Sequence, residues 1–376
     1  MAEEVPWGLY GSIGVSLVHD NNVFRTNVNQ QSDTVLLVPA SLTYKQRFGR
    51  HQGHLRLSTA LGKYDKFSTE DFKDYTLDGA VLFDLTRRFD VGAFASYTEA
   101  SELRGAPGTP IFQPGEKNKV ELLSYGVDAF YGRKDAPFNI GVGASKDEWR
   151  YVNNNQSTRD RDGDNFFARG GYRVGAKTDV FVEARRTEIS YIQAPTNQDS
   201  TEDSIWIGGG WRPTAATSGT VRVGRLKKDF DDPAREELQT TVYAGTVTWK
   251  PRRRHVLKFD VARTAEEGDG VSSYYVSDYF GARWDYNFGN NWNFYGYGSY
   301  IEDDYEIARL DKITEYGVGV NKSLTSWLSI QAAFSHIERD SNIPGGSYEA
   351  NLVSFGLSAN VSGKIAGPGV EGSRAQ

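Results

Sequence analysis

The chain has 376 residues, among them 20 Phe, 21 Tyr and 8 Trp, with a mean hydropathy of −0.55 and a net charge of −6 from 43 basic and 49 acidic side chains. That aromatic content excludes a disordered chain, which lacks the apolar surface to offset its ordering entropy, and the charge balance gives no basic field for nucleic acid. Cysteine is absent and Met1 is the sole methionine, so disulfides, thiolate metal sites and thiol nucleophiles are excluded too.

Met1 to Glu4 carry neither the basic segment nor the apolar stretch of a signal peptide and read as a mature start behind a removed one. A first strand begins at Leu9 and runs through Gly11, Ser12, Ile13, Gly14 and Val15 to a polar connection, Asn21 to Asp33. The longest apolar run, Val35 to Ala40, lies in the second strand and falls far short of the roughly 18 residues of a membrane-spanning helix. Pro39 sits inside it without an N–H for a ladder, so a bulge is expected there. After a short turn near Arg50, Leu55, Leu57, Thr59 and Leu61 alternate with Arg56, Ser58, Ala60 and Gly62, opposite faces of one strand. Tyr75, Leu77, Gly79, Val81, Phe83 and Leu85 repeat the split against Thr76, Asp78, Ala80 and Asp84. So do Leu257, Phe259 and Val261 against Lys258, Asp260 and Ala262, and Leu328, Ile330, Ala332 and Phe334 against Ser329, Gln331, Ala333 and Ser335.

Short polar turns centre near Arg50, Arg87, Lys134, Ala176, Ala215, Arg252, Asn290 and Leu324. Between them lie longer polar connections, including Arg104 to Asn118, Asn153 to Asp160, Gln193 to Asp203, Glu266 to Gly270 and Asp340 to Gly346. The count from Leu9 to Val361 is about 18 strands, with 16 the alternative, each long enough to cross a bilayer at a tilt. The pattern predicts an all-β fold: a transmembrane antiparallel up-and-down barrel with short periplasmic turns and longer extracellular loops. Hydrocarbon offers no hydrogen-bond partner, so a sheet in it must close on itself. Residues 1–361 form the single barrel domain, and 362–376 are a Gly-rich polar tail, either a disordered periplasmic extension or an appended remnant. A β-propeller also repeats near 40 residues, but its blades hold four short strands rather than two long ones. A soluble sandwich would leave a very large apolar area uncovered.

On the apolar parity near the short turns sit Phe48, Tyr131, Phe138, Trp211, Trp249, Tyr286, Trp292 and Phe294, where interfacial aromatic girdles belong. By the opposite parity Arg56, Arg169, Arg173, Arg185, Arg222, Lys258 and Arg283 point inward, against Asp78, Asp84, Asp128, Glu183, Asp260, Asp285 and Glu315. Seven of each sign supply no ring of one charge. They are candidate pore-lining groups, and ion-pair ladders holding the wall are the alternative. Trp206, Tyr279, Tyr295 and Tyr297 share this face and suit sugar rings or plain packing.

No enzyme is expected. Of the five histidines, His51, His54 and His255 flank short turns, and Ser335 and His336, as neighbours on opposite faces, cannot pair with each other. Asp160, Asp162 and Asp164 lack the later bidentate glutamate of an EF-hand. They read, like Glu302, Asp303 and Asp304, as solvated acidic loops, and neither metal nor cofactor is expected.

The first strand's exit, Asp20, Asn21, Asn22, Phe24 and Arg25 behind the glycines of Gly11 to Val15, resembles the opening of the putative β-barrel porin 2 family. The resemblance implies an outer-membrane conduit for a secreted exopolysaccharide or capsule, working with periplasmic export machinery, in contact with lipid and lipopolysaccharide and carrying no catalytic group. The balanced lumen favours a neutral or mildly charged polymer. The alternative is a passive diffusion porin for oligosaccharides or other small hydrophilic solutes, and loops folding inward would set the selectivity of either.

Overall fold

A strand whose side chains alternate between lipid-compatible and polar has one stable arrangement in a bilayer, a ring in which every edge is paired. The computed structural model of the chain, which describes residues 7–111, 113, 115–132, 136–193 and 197–363, is such a ring. Its eighteen strands are β1 (Gly8–Asp20), β2 (Asp33–Phe48), β3 (His51–Tyr64), β4 (Phe72–Thr86), β5 (Phe89–Ser101), β6 (Lys119–Tyr131), β7 (Phe138–Tyr151), β8 (Arg161–Gly175), β9 (Thr178–Tyr191), β10 (Ser200–Trp211), β11 (Thr217–Phe230), β12 (Leu238–Arg252), β13 (His255–Glu267), β14 (Tyr274–Gly289), β15 (Trp292–Tyr305), β16 (Leu310–Ser323), β17 (Leu328–Ser341) and β18 (Tyr348–Gly363). Each pairs antiparallel with its sequence neighbours, and β1 closes the ring on β18 from Leu9↔Gly363 to Asp20↔Leu352. No helix among the described residues is long and apolar enough to cross a membrane, and crossing falls to the strands.

The pairing registers fix the two faces. Ile13, Val15 and Leu17, Leu55 and Leu57, Ile140 and Val142, Ile205 and Ile207, and Phe355 and Leu357 are exposed on the outer face, an apolar belt that only lipid can cover. Toward the long-loop end the same outward parity turns ionic, with Lys146 3.4 Å from Asp162 and Arg186 2.7 Å from Asp203. The strands therefore run past the apolar belt on that side.

The register is kept where a bulge was expected, although the β1–β2 pairing lapses at Gly14 and Val15. β2 pairs with β3 in one register through Pro39↔Ala60, and β1 pairs with β2 in one register on both sides of it, Ile13↔Ala40 and Ser16↔Leu37. Gly14 stands opposite Pro39 and makes this possible: a Cβ on Gly14 would lie 3.1 Å from Pro39 Cγ. With no side chain there, the pyrrolidine ring fits without an inserted residue. Two acidic stretches also differ from expectation. Asp162 and Asp164 are strand residues paired with Lys146, and Glu302 to Asp304 lie in β15 with Asp303 wholly buried, because the strands extend further toward the loops than the polar sequence suggests. Similarly, Ser200 to Asp203 belong to β10 rather than to the preceding connection. The tail lies outside the described residues from 364 onward, and 362–363 belong to β18.

What is buried lies inside the ring: a small apolar cluster of Trp206, Leu226 and Val242 on one wall, and a much larger polar cluster at the long-loop end.

Candidate functional site

The longest connection, residues 102–118 between β5 and β6, does not stand out into solvent. It crosses the interior. Gly105 O accepts from Tyr348 Oη at 3.1 Å and from Arg339 Nη1 at 3.3 Å, Gly108 N–H donates to Tyr305 Oη at 3.0 Å, and Thr109 O accepts from Arg309 Nη1 at 3.2 Å. These partners belong to β15, β17, β18 and the β15–β16 connection. On a ring of eighteen, β15 is eight strands from β5 one way and ten the other, so the loop reaches the opposite wall. Its sequence permits this. Gly105 and Gly108 have φ of +72° and +70°, and a Cβ on Gly105 would lie 2.6 Å from the Tyr348 ring.

Charged pairs fix the crossing at both ends. Arg104 meets the fully buried Glu70 through two contacts and stacks over Phe24 at 5.2 Å. Arg159 meets Glu102 at 2.8 and 3.0 Å, and its Nη2 donates to Gly108 O at 3.0 Å. Arg309 reaches Asp269 and Asp311, each at 2.6 Å. Burial works against the Arg309 cation, but the carboxylates beside it prevail and its pKa stands above the ordinary value. Lys117, where the loop rejoins the wall, lies over the Tyr64 and Phe72 rings at 4.8 and 4.5 Å, and burial pushes its ammonium down to about 8.

The stretch Asp20 to Arg25 has a structural task here. Arg25 Nη1 holds both oxygens of Asp20 at 2.8 and 2.9 Å, Asn22 Nδ2 donates to the carbonyls of Thr26 and Glu349 at 2.7 Å, and Asn21 Oδ1 accepts the Asn351 N–H at 2.6 Å. Phe24 packs edge-on to Phe67 at 4.9 Å beneath Arg104. The stretch clasps the β1–β18 seam and supports the crossing loop.

All fourteen inward candidates lie on the interior parity, in three groups. Arg56, Asp78, Asp84 and Asp128 lie on β3 to β6, where Arg56 stands across the ladder from Asp78 and His54 Nε2 is 3.3 Å from Asp78. Arg169, Arg173, Glu183, Arg185 and Arg222 lie on β8 to β11. There Glu183, 3% exposed, is shared by Arg185 at 2.5 Å, Arg169 at 3.7 Å and Arg222 at 3.8 Å. Lys258, Asp260, Arg283, Asp285 and Glu315 lie on β13 to β16, with Lys258 3.1 Å from Asp260, Arg283 bidentate on Asp285 at 2.8 Å and Glu315 accepting from Tyr297 Oη at 2.7 Å. Among the fourteen the charges are grouped unevenly: the β8–β11 candidates are four arginines and one glutamate, and the β3–β6 candidates three aspartates and one arginine, while Asp179 and Glu202 share the interior face of β9 and β10. Arg169, Arg222 and Arg283 cover the faces of Phe181, Trp206 and Tyr295 at 3.6, 4.3 and 4.4 Å, so two of the inward aromatics offer less open ring than their parity suggests. The eight girdle candidates are all on the outer parity beside the short turns. Trp292 stacks with Phe294 at 6.1 Å and with the Lys322 ammonium at 4.4 Å.

Strand alternation did not lead to the loop anchors Glu70, Glu102, Arg104, Arg159, Asp269, Arg309 and Asp311, because most of them lie outside the strands. The available signal was the loop's own length and its content of Gly105, Pro107, Gly108 and Pro110.

A family model described as putative beta-barrel porin 2 matches residues 6–361. No curated protein matches the sequence. Among solved structures the chain resembles Pseudomonas aeruginosa OccK2 (OpdF) in complex with glucuronate, at 11% identity and a TM-score of 0.53 over 94% of this chain and 98% of that one. It resembles Pseudomonas aeruginosa OpdK with vanillate at 9% identity and a TM-score of 0.51 over 94% and 98%, and Acinetobacter baumannii OccAB3 at 10% and 0.51 over 94% and 99%. At such identities the likeness concerns the fold.

Proposed function

The chain belongs to the putative beta-barrel porin 2 family, an outer-membrane barrel of porin type, and from this we propose that it is a passive diffusion channel for small hydrophilic solutes, oligosaccharides among them. The observation that carries the reading is the loop 102–118, held across the interior by Arg104–Glu70, Arg159–Glu102 and Arg309–Asp269. Breaking a buried pair by removing one partner costs about 3–5 kcal/mol, so the loop is a fixed constriction that admits solutes by size. A lumen whose walls carry these unevenly grouped charges orients what enters. The solved neighbours that bear glucuronate and vanillate hold single small molecules, which is consistent with this scale.

Export of a secreted polysaccharide, the role that the resemblance first implied, is the second reading. It requires the loop to release before a polymer can thread the ring, and periplasmic machinery to drive that release. The crossing loop therefore weighs toward small solutes.

Liposome swelling with sugars of increasing size tests the proposal. Arabinose should enter quickly and rates should fall steeply from mono- to tetrasaccharide. No swelling with any sugar, from protein shown to be folded by its heat-shifted mobility, would overturn it and leave the export reading.

A further inference from the structure

One cavity in the wall holds acids and bases that do not meet. It has a volume of about 180 Å³, close to the liquid volume of six waters, and its lining includes Arg185, Glu202, Trp206, Leu226, Val242 and Glu266. Trp206, Leu226 and Val242 make an apolar floor, and Arg222 covers one face of the indole at 4.3 Å.

The charges around this floor are committed unevenly. At the short-turn side three arginines share Glu183, and the Arg185 guanidinium, bonded to Glu183 through Nε, remains half exposed to the interior. At the long-loop side the cation whose charge acts on Glu202 is Lys228, which is 1% exposed and already bound by Glu267, itself held by Tyr191 Oη at 2.7 Å. Two positive charges are in excess on one side of the floor, and the carboxylates of Glu202 and Glu266 on the other.

Register places the two sides within reach of one small molecule. Arg185 pairs across the ladder with Ser204 and Glu202 with Thr187, so Arg185 and Glu202 are diagonal neighbours, about 7–8 Å apart on one face. They form no ion pair with each other, because Arg185 is turned toward Glu183. A small zwitterion lying between them can offer its carboxylate to Arg185 and its ammonium to Glu202.

We propose that this cavity is a binding subsite for a zwitterionic solute, an α-amino acid with an apolar side chain. Arg185 receives its carboxylate, Glu202 its ammonium, and Trp206, Leu226 and Val242 its side chain. The proposal rests on the channel reading above and names a substrate class for it. A neutral sugar leaves both charges unanswered, and a simple carboxylate or amine answers one.

The test uses the full chain in liposomes and the ratio of labelled leucine flux to arabinose flux, beside the same ratio for 4-methylpentanoate and 3-methylbutylamine, which lack the ammonium and the carboxylate. Leucine should exceed both analogues. Glu202→Gln should lower its ratio about tenfold, the scale of one charge-assisted hydrogen bond, and Glu202→Asp should recover part of it. If leucine and 4-methylpentanoate share one ratio in the wild type, or if correctly folded Glu202→Gln leaves the leucine ratio unchanged, the subsite is refuted while the channel stands. If arabinose itself does not pass, the channel reading fails and the subsite with it.

Discussion

Arg104, in the loop that crosses the ring, meets Glu70, in the turn between β3 and β4, through Nε to Oε2 at 2.8 Å and Nη2 to Oε1 at 2.5 Å, with the carboxylate fully buried. A charge in such a place is tolerable only with its partner present. Glu70→Gln should cost about 3–5 kcal/mol and free the near end of the loop, raising single-channel conductance and its noise. The double variant Glu70→Met with Arg104→Met should unfold at a higher temperature than Glu70→Gln. Unchanged conductance and melting in Glu70→Gln would show that the loop is not held here.

Lys117 gives the channel a pH-dependent stability. Burial, foremost, together with Arg104 and Arg25, lowers its pKa from 10.5 to about 8 against the pull of Glu70 and Asp74. The unfolded chain thus binds more protons between pH 8 and 10.5, and stability rises with pH across that window. Below pH 8 both states are protonated and the full penalty, on the order of 3 kcal/mol, is present. Melting followed by near-ultraviolet circular dichroism should therefore climb from pH 8 to 10 in the wild type. Lys117→Met should stand higher at pH 7 and lose the slope. A flat wild-type profile would contradict the assignment.

Glu183 is the acid that Arg169, Arg185 and Arg222 share on the β8–β11 wall. Glu183→Gln adds one net positive charge to a water-lined interior. A unit charge near 4 Å is worth about 1 kcal/mol in water, roughly a fivefold rise in local anion concentration. The reversal potential in a potassium chloride gradient should move toward the chloride equilibrium value, and more at low salt than at high. A move toward potassium would rule out this wall as part of the conduction path.

Asp303 is wholly buried and neither of its carboxylate oxygens is held in an ion pair; the Ser277 hydroxyl, beside it across the ladder, is the side chain that most offsets its burial. Asp311, opposite it in the ladder, leaves Oδ1 unpartnered while Oδ2 serves Arg309 and Arg339. Asp303→Asn removes a buried charge and supplies an N–H donor toward the Asp311 oxygen, which should stabilise the barrel by about 1–3 kcal/mol. Asp311→Asn should do the opposite by loosening Arg309. Thermal midpoints of the two variants in one detergent decide it, and a destabilised Asp303→Asn would mean that the carboxylate serves a partner of its own.

The barrel was readable from residues such as Leu55 to Gly62 because, in a strand, face is a matter of odd and even number. The same rule assigned Arg185 and Glu183 to the interior. It could not say that Arg185 would turn toward Glu183 and away from Glu202, since both choices lie on one face. Nor could it foresee that Glu302 to Asp304, polar in sequence, would put Asp303 in the protein interior.

Alternation of side chains along one strand is a local property, so the sequence alone determined the closed sheet, its outward belt, its short and long ends and the parity of the wall residues it singled out. Where residues 102–118 go depends on partners contributed by β15, β17 and β18, 197 to 243 positions away. Those contacts exist only once the ring has closed, and so only the tertiary structure decided that the loop crosses the channel and what it leaves open.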